Sequence, residues 1–200
     1  MVESHTIYNG LVTEQTSYAV NVLLPNFLNN TKPKNIVEIG TAVGGLTHLL
    51  SDLCPDSKII TIETKNFYHY NFKENVTSII SDSNSTDLIN DIMIPFIQKN
   101  GTTIVFCDGG NKVIDFSNYA PLIKNGDYIC VHDYCQTKEI FLNEYYGKIW
   151  NYCRLIDKDI LGICEQYGLV NVYPEMDRGM WGVKQKKSDI VVTKKIKRMI

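Results

Sequence analysis

An apolar run, Asn35 to Ile39, passes directly into the turn Gly40-Thr41-Ala42-Val43-Gly44-Gly45 and then into a helical pattern, Gly45 to Leu53. Glycines between a strand and a helix let the backbone turn tightly and let a ligand approach without meeting a Cβ atom, an arrangement suited to a nucleotide-like cofactor. A dinucleotide site favours the spacing G-x-G-x-x-G, which rests a pyrophosphate on the helix N-terminus. This chain has E-x-G-x-x-x-G-G instead. The Glu38 carboxylate would repel a pyrophosphate, but it can bind the ammonium of an amino-acid-bearing cofactor, directly or through water. Two further polar tips follow. The run Lys58 to Ile62 ends in Glu63, where a carboxylate can accept both hydroxyls of a ribose, and Val76 to Ile80 ends in Ser81-Asp82, where an adenine amino group can be met.

A second set of residues could move protons or hold charge. The run Thr102 to Cys107 ends in Asp108, with Lys112 shortly after, and Tyr128 to Val131 ends in His132-Asp133. Either Lys112 or His132 could act as a general base if burial and a nearby positive charge lower its pKa. The plainer readings stay open: Asp108 and Asp133 can cap helices, and His132 can be a strand-tip imidazole bonded to a neighbouring carboxylate.

These residues need a scaffold that brings strand tips together. Runs rich in β-branched residues alternate with amphipathic segments, here Asp87 to Gln98 and Phe116 to Ile123, and each run ends on polar groups. That alternation predicts a Rossmann-like, doubly wound α/β fold: a mostly parallel sheet with helices on both faces and ligands outside the carboxyl ends of the strands. A helix over Glu14 to Leu28 should precede the sheet, stopped by Asn29-Asn30-Thr31-Lys32-Pro33. Beyond residue 135, Glu139 to Tyr152 and Asp159 to Gln166 read as helices. Leu169 to Tyr173 and Trp181 to Lys184 read as an antiparallel pair at one sheet edge.

Together Val37–Gly45, Ile62-Glu63, Ser81-Asp82 and Val105–Asp108 resemble the class I S-adenosylmethionine-dependent methyltransferases, over roughly Asn35 to Tyr134. Within that class, Phe106–Lys112, Tyr119–Asp127 and Val131–Tyr134 are similar to the branch of sugar and macrolide O-methyltransferases and cephalosporin hydroxylase-like proteins, and more distantly to catechol O-methyltransferase. The resemblance implies S-adenosyl-L-methionine bound by Glu38, Gly40, Thr41, Gly44, Gly45, Glu63, Ser81, Asp82 and Asp108. It implies catalytic roles for Asp108, Lys112, His132 and Asp133. It also makes Asp108, Asp133 and His132 candidate ligands of Mg²⁺, which would lower the pKa of an acceptor hydroxyl and fix its oxygen in line with the methyl group. One departure stands out: where relatives carry histidine or lysine three residues after the first aspartate, this chain has Asn111, with the lysine one position later.

The 200 residues suit one domain: an N-terminal helical segment (1–34), a cofactor-binding core (35–134) and acceptor-side helices and edge strands (135–200). A net charge of −2 gives no electrostatic footprint for nucleic acid or an anionic membrane, and the basic stretch Lys184 to Arg198 reads as a solvated edge or tail. No apolar run approaches the ~18 residues a membrane span needs, so a cytoplasmic location is expected. The six cysteines show no metal spacing and read as reduced, mostly buried thiols. Phe67, Tyr68, His69, Tyr70 and Phe72 could wall an adenosine pocket, while Tyr145, Tyr146, Trp150 and Tyr152 read as core or dimer contacts, leaving a homo-oligomer open. The expected function is methyl transfer to a hydroxyl of a sugar or other small metabolite. The alternatives are a cofactor-binding module without turnover and a nicotinamide-dependent oxidoreductase.

Overall fold

The computed structural model describes residues 5–65 and 71–187. Phe67, Tyr68, His69 and Tyr70 of the aromatic cluster and the basic residues Lys194, Lys195, Lys197 and Arg198 lie outside the described residues.

The chain opens with a hairpin, β1 (Ile7–Tyr8) and β2 (Leu11–Val12). A helix then runs over 17–31, π-wound at Ala19–Leu23 and continuing as α1 (Leu24–Thr31). It starts later than Glu14 because Thr16 Oγ1 accepts the backbone N–H of Ala19 at 3.1 Å, a cap that leaves Gln15 outside the helix. It ends where Lys32 turns left-handed (φ 44°) before Pro33.

The expected alternation follows: β3 (Asn35–Ile39), α2 (Gly45–Leu53), β4 (Lys58–Glu63) and β5 (Val76–Ile80). Next come α3 (Thr86–Leu88), a π-wound stretch Ile89–Met93, α4 (Ile94–Ile97) and β6 (Thr103–Cys107). Then α5 (Lys112–Tyr119) leads to β7 (Tyr128–His132) and β8 (Tyr134–Cys135). The chain continues through α6 (Lys138–Ile140), β9 (Leu155–Ile156), α7 (Asp157–Tyr167), β10 (Leu169–Asn171) and β11 (Trp181–Lys186).

Seven strands form one sheet in the order β10-β11-β7-β6-β3-β4-β5, with β7 to β5 parallel and β11 antiparallel to both its neighbours. Alternate residues feed two cores. Val37, Ile39, Val105 and Val131 pack with Phe116, Tyr119 and Ile160 on one face. Ile36, Ile59, Ile104 and Phe106 pack with Phe27, Leu49 and Trp181 on the other. With helices on both faces, this is the expected Rossmann-like architecture.

The differences lie outside its centre. α5 begins at Lys112 rather than Phe116, because Asn111 Oδ1 accepts the N–H of Ile114 at 3.2 Å and starts the helix there. The segment expected as one helix from Glu139 to Tyr152 is helical only through α6 and the π-wound Phe141–Tyr145, after which Tyr146 is extended and Gly147 takes φ 70°. The antiparallel pair is present, but only β10 is the edge strand, since β11 also pairs with β7. All six cysteines are free, five of them buried. No helix of the described residues is long and apolar enough to cross a membrane.

Candidate active site

The chain leaves β3 for β4 on one side and returns to β6 on the other, so strand order reverses between β3 and β6. At such a switch point two loops diverge and leave a crevice. Here Gly40 follows β3 and Asp108 follows β6, and they are so close that a Cβ on Gly40 would lie 2.5 Å from the Asp108 carbonyl oxygen. Gly40 also takes φ 94°, and Ala42 in the same turn takes φ 45°, a region non-glycine residues seldom occupy. The strained turn opens a cavity of about 520 Å³, within the usual range for a small-molecule site.

Of the sequence-expected cofactor residues, Gly40, Thr41, Gly45, Glu63, Ser81 and Asp108 line this cavity. Glu63 half-emerges at the tip of β4. Its Oε2 accepts the Ala42 N–H at 3.0 Å, and Oε1 accepts the N–H and hydroxyl of Thr64, which orients the carboxylate and leaves lone pairs for a diol. Gly44, with φ 86°, stands at the N-cap of α2 with the Phe72 ring 3.1 Å from where its Cβ would be. Asp82 points away, accepting from the backbone and side chain of Asn84, and Ser83 takes its place beside Ser81 in the wall.

Glu38 is not in the cavity wall. It is fully buried beneath the turn, where Oε2 accepts the hydroxyls of Thr47 at 2.5 Å and Thr61 at 2.6 Å, while Oε1 has no hydrogen-bond partner among the described residues. Burial pushes this carboxyl up to about 8, against the pull of the two hydroxyl bonds. The carboxyl braces the turn from beneath and is not among the groups that line the cavity.

The four catalytic candidates, Asp108, Lys112, His132 and Asp133, all line the cavity. His132 Nδ1 lies 3.0 Å from Asp108 Oδ1. Its ring is held between Trp181 and Trp150, with centroids 4.7 and 5.4 Å away, and its Nε2 is buried with no partner among the described residues. Asp133 turns left-handed (φ 55°), which carries its carboxylate back over α5 to accept the Trp150 indole N–H at 2.7 Å. Lys112 Nζ lies 3.2 Å from Asp108 Oδ1 and 3.2 Å from Asp133 Oδ2, and it donates to the Gly109 carbonyl at 3.1 Å. Arg154 Nε approaches the same Asp133 oxygen at 3.3 Å. Burial alone would raise the Asp108 carboxyl, but His132 and Lys112 beside it hold it below the usual carboxylate range.

Two carboxylates are the usual protein share for Mg²⁺, but here Lys112 stands between them. Among the described residues no group of three or more His, Cys, Asp or Glu side chains is placed to hold a metal ion. A divalent cation does not fit this arrangement as it stands, with the Lys112 ammonium between Asp108 and Asp133.

Other site residues carried no readable signal. Gln15, fully buried, donates from Nε2 to Asp108 Oδ2 at 2.9 Å and accepts the Trp181 indole N–H at 2.8 Å. His5, Val12, Thr13 and Glu14 cover one side of the cavity, and Trp150, Tyr152 and Arg154 another. Asn111, standing where relatives place a base, caps α5.

The switch-point crevice, with a glycine turn on one strand and carboxylates on its neighbours, lies in a fold that this chain shares with solved structures, some of them holding SAM or SAH. The chain is similar in structure to CmcI in its apo form, at 16% identity and TM-score 0.69, over 92% of this chain and 76% of that one. A CmcI structure with Mg and SAM aligns at 20% identity and TM-score 0.60, over 89% and 76%. The MycE methyltransferase from the mycinamycin biosynthetic pathway, in complex with Mg and SAH, aligns at 14% identity and TM-score 0.53, over 84% of this chain and half of its own length. At these identities the likeness is one of fold. No family model and no curated protein matches the sequence.

Proposed function

We propose that this chain is an S-adenosylmethionine-dependent methyltransferase acting on a hydroxyl of a small molecule, a sugar or comparable metabolite. The observation that carries the reading is the convergence, on one cavity, of the Gly40–Gly45 turn and Glu63 with the Asp108–Lys112–His132–Asp133 cluster. When bound, the cofactor supplies an electrophilic methyl group on a sulfonium; the oxygen–carbon bond forms as the carbon–sulfur bond breaks, its electron pair staying on sulfur.

The chain's residues do the rest. Glu63 accepts the ribose hydroxyls, and Ser81 and Ser83 meet the base beyond the tip of β5. Asp108 holds the Nδ1 proton of His132, which leaves Nε2 with a lone pair to take the proton of the acceptor hydroxyl. The Lys112 ammonium faces the charge that develops on that oxygen. Trp150, Tyr152 and Arg154, from the region after residue 135, supply an acceptor wall with apolar faces and one guanidinium.

The test is calorimetric binding of S-adenosylhomocysteine, with NAD as the competing ligand. Micromolar binding that Glu63→Ala weakens at least ~10-fold, about 1.4 kcal/mol, is the expected outcome. Preference for NAD would replace the methyltransferase reading with an oxidoreductase one, and binding of neither would sink both. Cofactor binding without transfer to any hydroxylated acceptor would point to a module without turnover.

A further inference from the structure

We propose that the Lys112 ammonium takes the place of a divalent cation between Asp108 and Asp133, so that the acceptor oxygen is handled at this site without a metal. The inference rests on the methyltransferase reading for its chemistry, but the arrangement it describes stands on geometry. An ammonium has three donors. Lys112 Nζ has three oxygens around it: Asp108 Oδ1 and Asp133 Oδ2, each at 3.2 Å, and the Gly109 carbonyl at 3.1 Å. Lys112 is only 6% exposed and sits in the first turn of α5, which the Asn111 cap starts, so its head cannot swing to water without abandoning both carboxylates.

Every carboxylate oxygen in the pair is already engaged. Asp108 Oδ1 meets His132 and Lys112, and Oδ2 accepts from Gln15. Asp133 Oδ1 accepts from Trp150, and Oδ2 meets Lys112 and Arg154. Two carboxylates thus face an ammonium and a guanidinium. A divalent ion would meet an ammonium and a guanidinium at contact range and would have to strip donors from both aspartates. Mg²⁺ also demands near-octahedral oxygen ligation at about 2.0–2.1 Å, whereas an ammonium accepts the longer distances seen here.

Mn²⁺, read by the electron paramagnetic resonance of the free ion, tests this without turnover. With wild-type protein and S-adenosylhomocysteine, the free-ion signal should match that of buffer. Lys112→Met empties the space between the aspartates and should take up one Mn²⁺ per chain, an uptake lost when Asp108→Asn is added. Wild-type uptake abolished by Asp108→Asn would overturn the proposal, and so would a cooperatively melting Lys112→Met that takes up none. Should Lys112→Met fail to fold, Lys112→Gln serves in its place, and the wild-type result decides on its own. S-adenosylhomocysteine binding in the same samples keeps the two readings apart: its absence removes the methyltransferase reading and leaves the Mn²⁺ result intact.

Discussion

Glu38 is a strand residue whose side chain lies beneath the turn rather than in the cavity wall. A glutamate before a glycine turn invites a cofactor role, yet inward-facing strand residues are decided by the pleat, and the pleat sends this one under the turn. Burial pushes its carboxyl up to about 8 in the folded state, from an ordinary value of 4.5. The native state therefore holds a proton that the unfolded state releases, and stability falls as pH rises between those values. The fall is on the order of a few kcal/mol at most. Glu38→Gln should flatten it, so thermal melts from pH 5 to 8 should show a smaller decline in Tm for the variant than for wild type. Asp108, Lys112, His132 and Asp133 were legible because each ends a strand or opens the helix after one. The His132–carboxylate pair was among the readings, but the Lys112 bridge between the two aspartates was not, since it depends on the left-handed Asp133.

The central strands and α2 could be read at the scale of elements because five β-branched runs recur with a polar tip, and burial on both faces demands apolar continuity. The hairpin β1–β2 escaped, two-residue strands being too short to show a period. Yet it is packed hard against the cofactor turn: a Cβ on Gly45 would lie 2.1 Å from the Val12 carbonyl oxygen. Gly45→Ala should push the hairpin off, costing about 1–3 kcal/mol and raising amide exchange over residues 5–13. Gly110→Ala, with nothing within 4 Å of its added carbon, is the control and should leave both nearly unchanged. The expected helix to Tyr152 failed because Gly147 breaks it, and that break returns the Trp150 indole to Asp133.

On the scale of the whole molecule, the sheet's order was beyond sequence reading. The antiparallel pair could be recognised, but nothing local says that β11 inserts between β10 and β7. Gln15 makes the same point, since its two hydrogen bonds reach partners 93 and 166 residues away. Losing both, with a buried indole N–H and a carboxylate left short of a donor, should cost Gln15→Leu about 2–4 kcal/mol. Chemical denaturation should show the loss as a lowered midpoint at unchanged slope.

The Gln15–Trp181 bond also sets an order of assembly during synthesis. Asp108 and His132 are made before Trp181, and until β11 arrives β7 is an open edge, the His132 ring lacks its Trp181 partner and Gln15 has only one of its two bonds. At about 5–20 residues per second, the stretch from His132 to Trp181 takes a few seconds to translate. For that interval a nascent chain carries Asp108, Lys112, His132 and Asp133 in a half-built pocket, which Trp181 joins only once β11 is made.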